Sequence, residues 1–288
     1  YKMNNLKLNF IKKKEIFYFV LLSFFSVFIN QFYGNIGVCP IDSFWFFNSG
    51  YDVLNGHYPF KDYWTIAGPF ITFTQAIFFK VFGVSWFSYV FHASVFNGII
   101  TVLTFIVLRN FKLNIFYSFI YSLFFSVLAY PSSGTPFVDH HSTFFSLIGI
   151  YILILAIKNE KFLYWFLFPI FFGFAFLSKQ VPATYVIIFV TIILIFYSII
   201  YKKFSWIKYS ISSTIFFIII LLMFGKIQGI HLSVFLEQYI YYPQTIGEKR
   251  FSNLNISINS VLGHFKFIFL SIAPLVYINI KAFFDQKK

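Results

Sequence analysis

Charge is what this chain has least of, and negative charge is the scarcest. Asp, Glu, Lys and Arg make up 11% of 288 residues, with nine acidic side chains against twenty-two basic ones. A soluble globular domain carries about a quarter of its residues charged, so that class is excluded. Cysteine is nearly absent: Cys39 stands alone, cannot form an internal disulfide, and reads as a small packing residue. No repeat or low-complexity linker divides the chain, which reads as one domain over residues 1–288. The first apolar run follows Lys12, Lys13 and Lys14 but leads into Gly34 and Asn35 without a small-x-small cleavage pattern, so it is expected to stay as an anchor.

What the chain has in excess is hydrocarbon. Hydrophobic residues reach 59%, 48 of them Phe, and mean hydropathy is +0.78. Nearly uncharged runs lie at 16–33, 87–108, 114–130, 142–157, 162–178, 184–201, 209–225 and 265–280. Each is near the roughly 20 residues that a helix needs to cross about 30 Å of hydrocarbon. The expected fold is an all-α, polytopic integral membrane protein with about eight spans, the short runs being met by tilt or local thinning. The phenylalanines read as lipid-facing and packing residues.

A further apolar stretch, residues 66–83, decides the topology, because counting it as a span inverts every later loop. If it does not cross, fifteen of the twenty-two basic residues gather on the amino-terminal side, from Lys2 to Lys14, at Arg109 and Lys112, Lys158 and Lys161, Lys202 to Lys208, and Lys281 to Lys288. If it crosses, the basic residues divide almost evenly. The positive-inside rule therefore favours an interfacial helix, and Gly68-Pro69 with Thr72, Thr74, Gln75 and Lys80 suit that reading. A ninth span is the alternative. The net charge of +13 then belongs to orientation and anionic headgroups and implies no nucleic-acid partner. The expected location is a bacterial inner membrane, amino terminus cytoplasmic, with a eukaryotic endomembrane as the other reading.

On this topology six of the nine carboxylates, Asp42, Asp52, Asp62, Asp139, Glu237 and Glu248, face outside. Two external segments carry most polar groups: the first loop, 34–86, and the last large one, 226–264. Pro40 followed by the aromatic spacing of Ile41 to Leu54 predicts a short amphipathic helix ended by Asn55-Gly56, with Asp42 in its first turn as either a cap or a functional acid. A shorter segment puts Asp139, His140 and His141 at the mouth of the next span, a depth at which titratable groups are functional suspects. This run is also a candidate site for a divalent metal; adjacent histidines on a helix diverge, so Asp139 with one histidine is the better pair. Lys179 lies on the same side, where it either snorkels or meets a lipid phosphate. The stretch LEQYIYYP, 236–243, is either a helix that covers a site or an aromatic belt.

This arrangement resembles the GT-C superfamily of polyprenyl-phosphate-sugar-dependent glycosyltransferases, such as the protein O-mannosyltransferases and the lipid A aminoarabinose transferase, over roughly residues 15–265. The most specific part is PIDSFWFFNSGYDVLNGHYPFKDYW with the apolar stretch closing on Lys80-Val81-Phe82-Gly83, which is similar to the family's acidic loop, juxtamembrane helices and G-x-x-P-Y-x-D turn. The resemblance implies that Asp42 is the catalytic loop acid, Asp139 the second acidic position, and Ser178-Lys179-Gln180 the family's lysine motif. Many members carry Asp-Glu where this chain has Asp42-Ser43, which bears on metal use and on the choice of base. His57, Tyr58, Lys61, Asp62, Lys249 and Arg250 are the further substrate-binding candidates.

The function implied is sugar transfer from a polyprenyl-phosphate donor to an acceptor, whether protein, lipid or glycan, at the external face. Asp42 would act as base, Asp139 would orient the acceptor, a water or a cation, and Lys179 would neutralise the leaving phosphate. The alternatives are a transporter or flippase, and a noncatalytic scaffold. Transporters place ionisable groups near the midplane, whereas no Asp, Glu, Lys or Arg sits centrally in these spans. Asn255-Ile256-Ser257 is a formal glycosylation sequon, and a chain opening on Tyr1 and stopping soon after its eighth span reads as a fragment.

Overall fold

The computed structural model describes residues 13–37, 40–129, 134–252 and 257–285. Cys39 and most of the sequon lie outside them. The described residues are helical with no strand. They divide into two compact units, Tyr1–Tyr241 and Tyr242–Lys288.

In the first unit the helices are α1 (Lys13–Gly34), α2 (Pro40–Leu54), α3 (Pro69–Phe82), α4 (Trp86–Asn110), α5 (Ile115–Ala129), α6 (Val138–Asn159), α7 (Phe162–Ser178), α8 (Gln180–Tyr201), α9 (Ser205–Gln228) and α10 (Leu232–Leu236), followed by a π-helical turn over Glu237–Tyr241. The second unit holds α11 (Tyr242–Ser252) and α12 (Ile258–Asp285). Six helices, α1, α4, α6, α8, α9 and α12, are long and apolar enough to cross a membrane, and α5 and α7 are shorter apolar helices. The eight expected runs are therefore all helices, of a polytopic all-α membrane protein. One expectation is revised on physical grounds: tilting shortens the thickness a helix covers, so short α5 and α7 are met by thinning or by packing, not by tilt.

Serine and threonine enter these helices by turning their hydroxyls onto the preceding turn. Ser26 donates to Leu22 O at 2.7 Å, Thr104 to Ile100 O at 2.8 Å and Ser198 to Leu194 O at 2.8 Å. Each hydroxyl is satisfied within its own helix, as an environment without water requires. Packing between helices is largely aromatic and small: α6 and α7 pair through Gly149, whose absent side chain leaves room for the Phe172 ring, beside Phe144, Phe145 and Ile148.

The chain turns define two faces of the first unit. At one, Arg109 Nε meets Glu15 at 2.9 Å, Lys158 donates to Asn110 O, and Lys203 pairs with Glu160. These are ends of α1, α4, α6 and α8. At the other, Trp86 Nε1 donates to Gly34 O at 2.9 Å, bringing the end of α1 to the start of α4. Helix α3 has both ends at this second face. Gly68, its extended N-cap, touches Ser178 at the end of α7, and its last residue, Phe82, accepts from Ser88 in the first turn of α4 at 3.2 Å. It returns to the face it left, as expected for a non-crossing helix, and is 14 residues long, about 21 Å.

Helix α6 begins earlier than the hydropathy of its run predicts, at Val138 and not 142, so Asp139, His140 and His141 form its first turn. An acid there is favoured by the exposed backbone N–H groups of a helix start. The segment 226–264 is more ordered than a loop: it carries α10, the π turn and α11, and His264 lies inside α12, with Nδ1 2.7 Å from Ser260 O.

Candidate active site

Lys179 is extended at the junction of α7 and α8, with φ −159° and ψ 134°, as is Val181 two residues on, and the Lys179 backbone N–H closes α7 on Ala175 O at 3.0 Å. From that corner Nζ donates to both carboxylate oxygens of Asp139, at 2.6 and 2.7 Å. Ser142 Oγ, one turn along α6, adds a bond to Lys179 O at 3.3 Å. Both charged side chains are about 40% exposed (38% and 42%), so the pair orients them more than it stabilises the fold.

The corner is held by close backbone contact. A Cβ on Gly68 would lie 1.8 Å from Ser178 O, so only glycine lets the start of α3 meet the end of α7. Gln180 Nε2 donates to Tyr239 O at 2.7 Å and to Ile66 O at 3.4 Å, Thr65 N–H donates to Gln238 Oε1 at 3.0 Å, and Tyr239 OH donates to Phe176 O. The stretch 236–241 docks on this corner through Tyr239, which is fully buried, while Tyr241 is exposed. Phe60, at φ 66°, turns its ring under Phe235 and Tyr239, with centroids 5.1 and 6.0 Å away. A bulky residue in the left-handed region costs about 1 to 2 kcal/mol, which that burial offsets.

Asp42 stands in the first turn of α2. Its neighbour Ser43 is buried and meets Thr135 hydroxyl to hydroxyl at 3.2 Å, and Phe46 packs edge-on against Phe137 at 5.9 Å. Thr135 and Phe137 immediately precede α6, so the first turns that carry Asp42 and Asp139 are tied to each other. Helix α2 also lies on α3, where Gly50 leaves room for the Gln75 side chain.

The turn after α2 is internally braced. Asp62 Oδ2 accepts the Tyr58 backbone N–H at 2.7 Å, Lys61 Nζ is 3.8 Å from Asp62 and 5.4 Å above the Tyr58 ring, and its stem passes Gly229. His57 is exposed on the same turn. Burial pushes the neighbouring Tyr63 phenol up to about 12, with the Asp52 and Asp62 carboxylates adding to the shift. It is a neutral hydroxyl across the physiological range. Lys249 and Arg250 lie on α11 in the second unit, the Arg250 side chain outside the described residues.

The metal candidates diverge. Asp139 faces Lys179, and His141 Nε2 lies 3.2 Å from Nε2 of His92, while His140 packs near Phe137 and Phe144. Among the described residues no three His, Cys, Asp or Glu side chains converge as a metal site. His92 was not singled out from the sequence, and Gln75, whose Oε1 lies 2.7 Å from His92 Nδ1, was read only as a polar interruption of the interfacial helix. A histidine within a run of membrane-spanning length was the available signal.

No curated protein and no solved structure matches the chain. Residues 67–225, just over half of its length, match the family described as dolichyl-phosphate-mannose-protein mannosyltransferase. The match runs from α3 through most of α9 and contains Asp139 and Lys179, with Asp42 preceding it. The chain belongs to the dolichyl-phosphate-mannose-protein mannosyltransferase family and is an integral membrane glycosyltransferase of GT-C type.

Proposed function

We propose that the chain moves a sugar from a polyprenyl-phosphate donor to an acceptor, at the external face of the membrane, in one inverting displacement. The acceptor hydroxyl or amine attacks the anomeric carbon, its proton passes to Asp42, and the bond from that carbon to the phosphate oxygen breaks, so that polyprenyl phosphate leaves with the electron pair. Asp139 orients Lys179 and the acceptor, and Lys179 balances the charge that grows on the leaving phosphate.

The observation that carries this reading is an ammonium group held against Asp139, just past the end of a helix whose last turns line an apolar groove. Lys179 has three N–H donors and Asp139 offers it two oxygens, at 2.6 and 2.7 Å, so a donor remains for a phosphate oxygen. Within a turn of it, Phe176 and Leu177 begin a groove of about 410 Å³ that continues past Phe172 and Leu194 to Trp206. Helices α8 and α9 flank it, both packing on α7, and they meet where Trp206 Nε1 donates to Ser198 Oγ at 2.6 Å. Apolar walls below a cation suit a lipid phosphate. The external face is supported by the gathering of basic residues at the opposite ends of the spans.

The test is release of free polyprenyl phosphate from a panel of polyprenyl-phosphate sugars by membranes containing the chain, beside Asp42→Asn and Asp139→Asn at matched expression. Asp42→Asn is expected to lose release, and Asp139→Asn to fall about 100-fold while keeping measurable residual release. Full transfer by Asp42→Asn would overturn its role as base, and no release from any donor would overturn the donor class.

A further inference from the structure

A buried polar chain runs on the side of α6 away from Lys179. His141 follows Asp139 by two residues, about 200° around the helix. Gln75 on α3, His92 on α4 and His141 on α6 are 1%, 0% and 0% exposed. The Gln75 amide lies 2.7 Å from His92 Nδ1, His92 Nε2 lies 3.2 Å from His141 Nε2, and His141 Nδ1 lies 3.2 Å from Phe137 O. Phe137 is the N-cap residue of α6, and its carbonyl also accepts the His141 backbone N–H at 3.1 Å.

The polarity of the chain is set from that end. A carbonyl only accepts, so His141 Nδ1 donates, and a neutral ring then presents a lone pair at Nε2. His92 Nε2 donates to that lone pair, which makes His92 Nδ1 an acceptor. Gln75 accordingly offers its NH2 group, since partners decide which amide atom faces which way. The result is a one-way run of donors from the middle of α3, through α4, to the cap of α6. Rings hold it in place: Phe78 stacks on His92 at 4.8 Å, and Phe96 contacts both histidines, at 5.2 and 4.7 Å.

We propose that His92 and His141, anchored by Gln75, are positioning residues that fix the rotation of the first turn of α6 and thereby aim Asp139 at Lys179. Asp139 lies between the two residues that the chain joins, Phe137 and His141, so any turn of the cap moves the carboxylate. The groups are buried and each depends on the next, so cutting one link at Gln75 or His141 leaves a buried His92 nitrogen unsatisfied and frees the turn. The chain also connects α3, which lies against α2 and the Lys179 corner, to the acid that the corner needs.

This assignment rests on the reading of Asp139 and Lys179 as the site, and its test has two arms. In the first, His141→Leu and Gln75→Leu are each made in the parent and in an Asp139→Asn background, and polyprenyl-phosphate release is followed. The expected result is a fall in kcat of about 10- to 100-fold in the parent, with donor KM within about 2-fold, and no further fall when Asp139 is already Asn. Equal falls in both backgrounds would mean general damage and overturn the proposal. In the second arm, Asp139→Cys with Lys179→Cys in a Cys39→Ser chain is cross-linked by a short bis-methanethiosulfonate. Gln75→Leu should lower the yield by half or more, and an unchanged yield overturns the proposal. Gln75→Leu leaves both histidines in place, so the test survives if His141→Leu fails to accumulate. If the parent releases nothing from any donor, the proposed function fails, and the cross-linking arm alone decides the positioning role.

Discussion

Ser43 and Thr135, ninety-two positions apart, meet hydroxyl to hydroxyl at 3.2 Å, and this one neutral bond joins the helix start that carries Asp42 to the segment leading into Asp139. Both are nearly inaccessible, at 2% exposure. Ser43→Ala strands the Thr135 hydroxyl and should cost about 1 to 3 kcal/mol of stability, whereas Ser43→Ala with Thr135→Val removes both partners and should recover much of it. Thermal unfolding of detergent-purified protein reads the difference. A double variant as unstable as the sum of two damaging singles would show that the bond is not what ties the two turns.

The Asp139–Lys179 pair makes a different prediction, about chemistry more than stability. Lys179→Gln should lower release of polyprenyl phosphate by about 100-fold or more while leaving the unfolding temperature nearly unchanged, because a partly exposed pair is worth at most about 1 kcal/mol. The exchange Asp139→Lys with Lys179→Asp rebuilds the pair but moves the cation to α6. Transfer should stay lost in the exchanged protein, and recovery there would refute a fixed role for Lys179.

Gly68→Ala should be among the most damaging small substitutions in the chain. Its Cβ would meet backbone, at 1.8 Å from Ser178 O, with no flexible side chain to give way. A loss of about 3 kcal/mol or more is expected, seen as low yield of folded protein after extraction. Gly37→Ala is the control, since nothing lies within 4 Å of a Cβ there. If both variants behaved alike, the close approach of α3 to α7 would be wrong.

The non-crossing α3 predicts a labelling pattern. In a Cys39→Ser chain, Asn55→Cys and Val84→Cys flank α3 and should react with an impermeant maleimide from the same side of sealed vesicles, and Phe204→Cys from the other. Opposite reaction of positions 55 and 84 would make α3 a span.

The spans were legible because scarcity of charge over about 20 residues has few other readings. Helix α2 was legible from Pro40 and its aromatic spacing, and α3 from the arithmetic of basic residues together with Gly68-Pro69 and its polar interruptions. Asp42, Asp139 and Lys179 could be singled out as polar groups at one end of apolar runs, and the structure brings Asp139 onto Lys179 while tying the Asp42 turn to theirs. The start of α6 was read four residues late, because Asp139, His140 and His141 lower the local hydropathy while a helix start accommodates them. The Gly68 contact, the docking of Tyr239 and the His92–His141 chain depend on residues far apart in sequence, for which no local period exists.

Helix α5 has one more consequence. It has fifteen residues, about 22 Å, yet Phe116, Tyr117, Tyr121, Phe124 and Leu128 are exposed along it. Helix α7 is nearly as short, but neighbouring helices shield it; α5 presents its deficit of about 8 Å to the acyl chains themselves. The elastic cost of compressing lipid on that flank falls where the bilayer is already thin. The enzyme should therefore partition laterally toward short-chain, fluid regions of its membrane and away from thick, ordered ones.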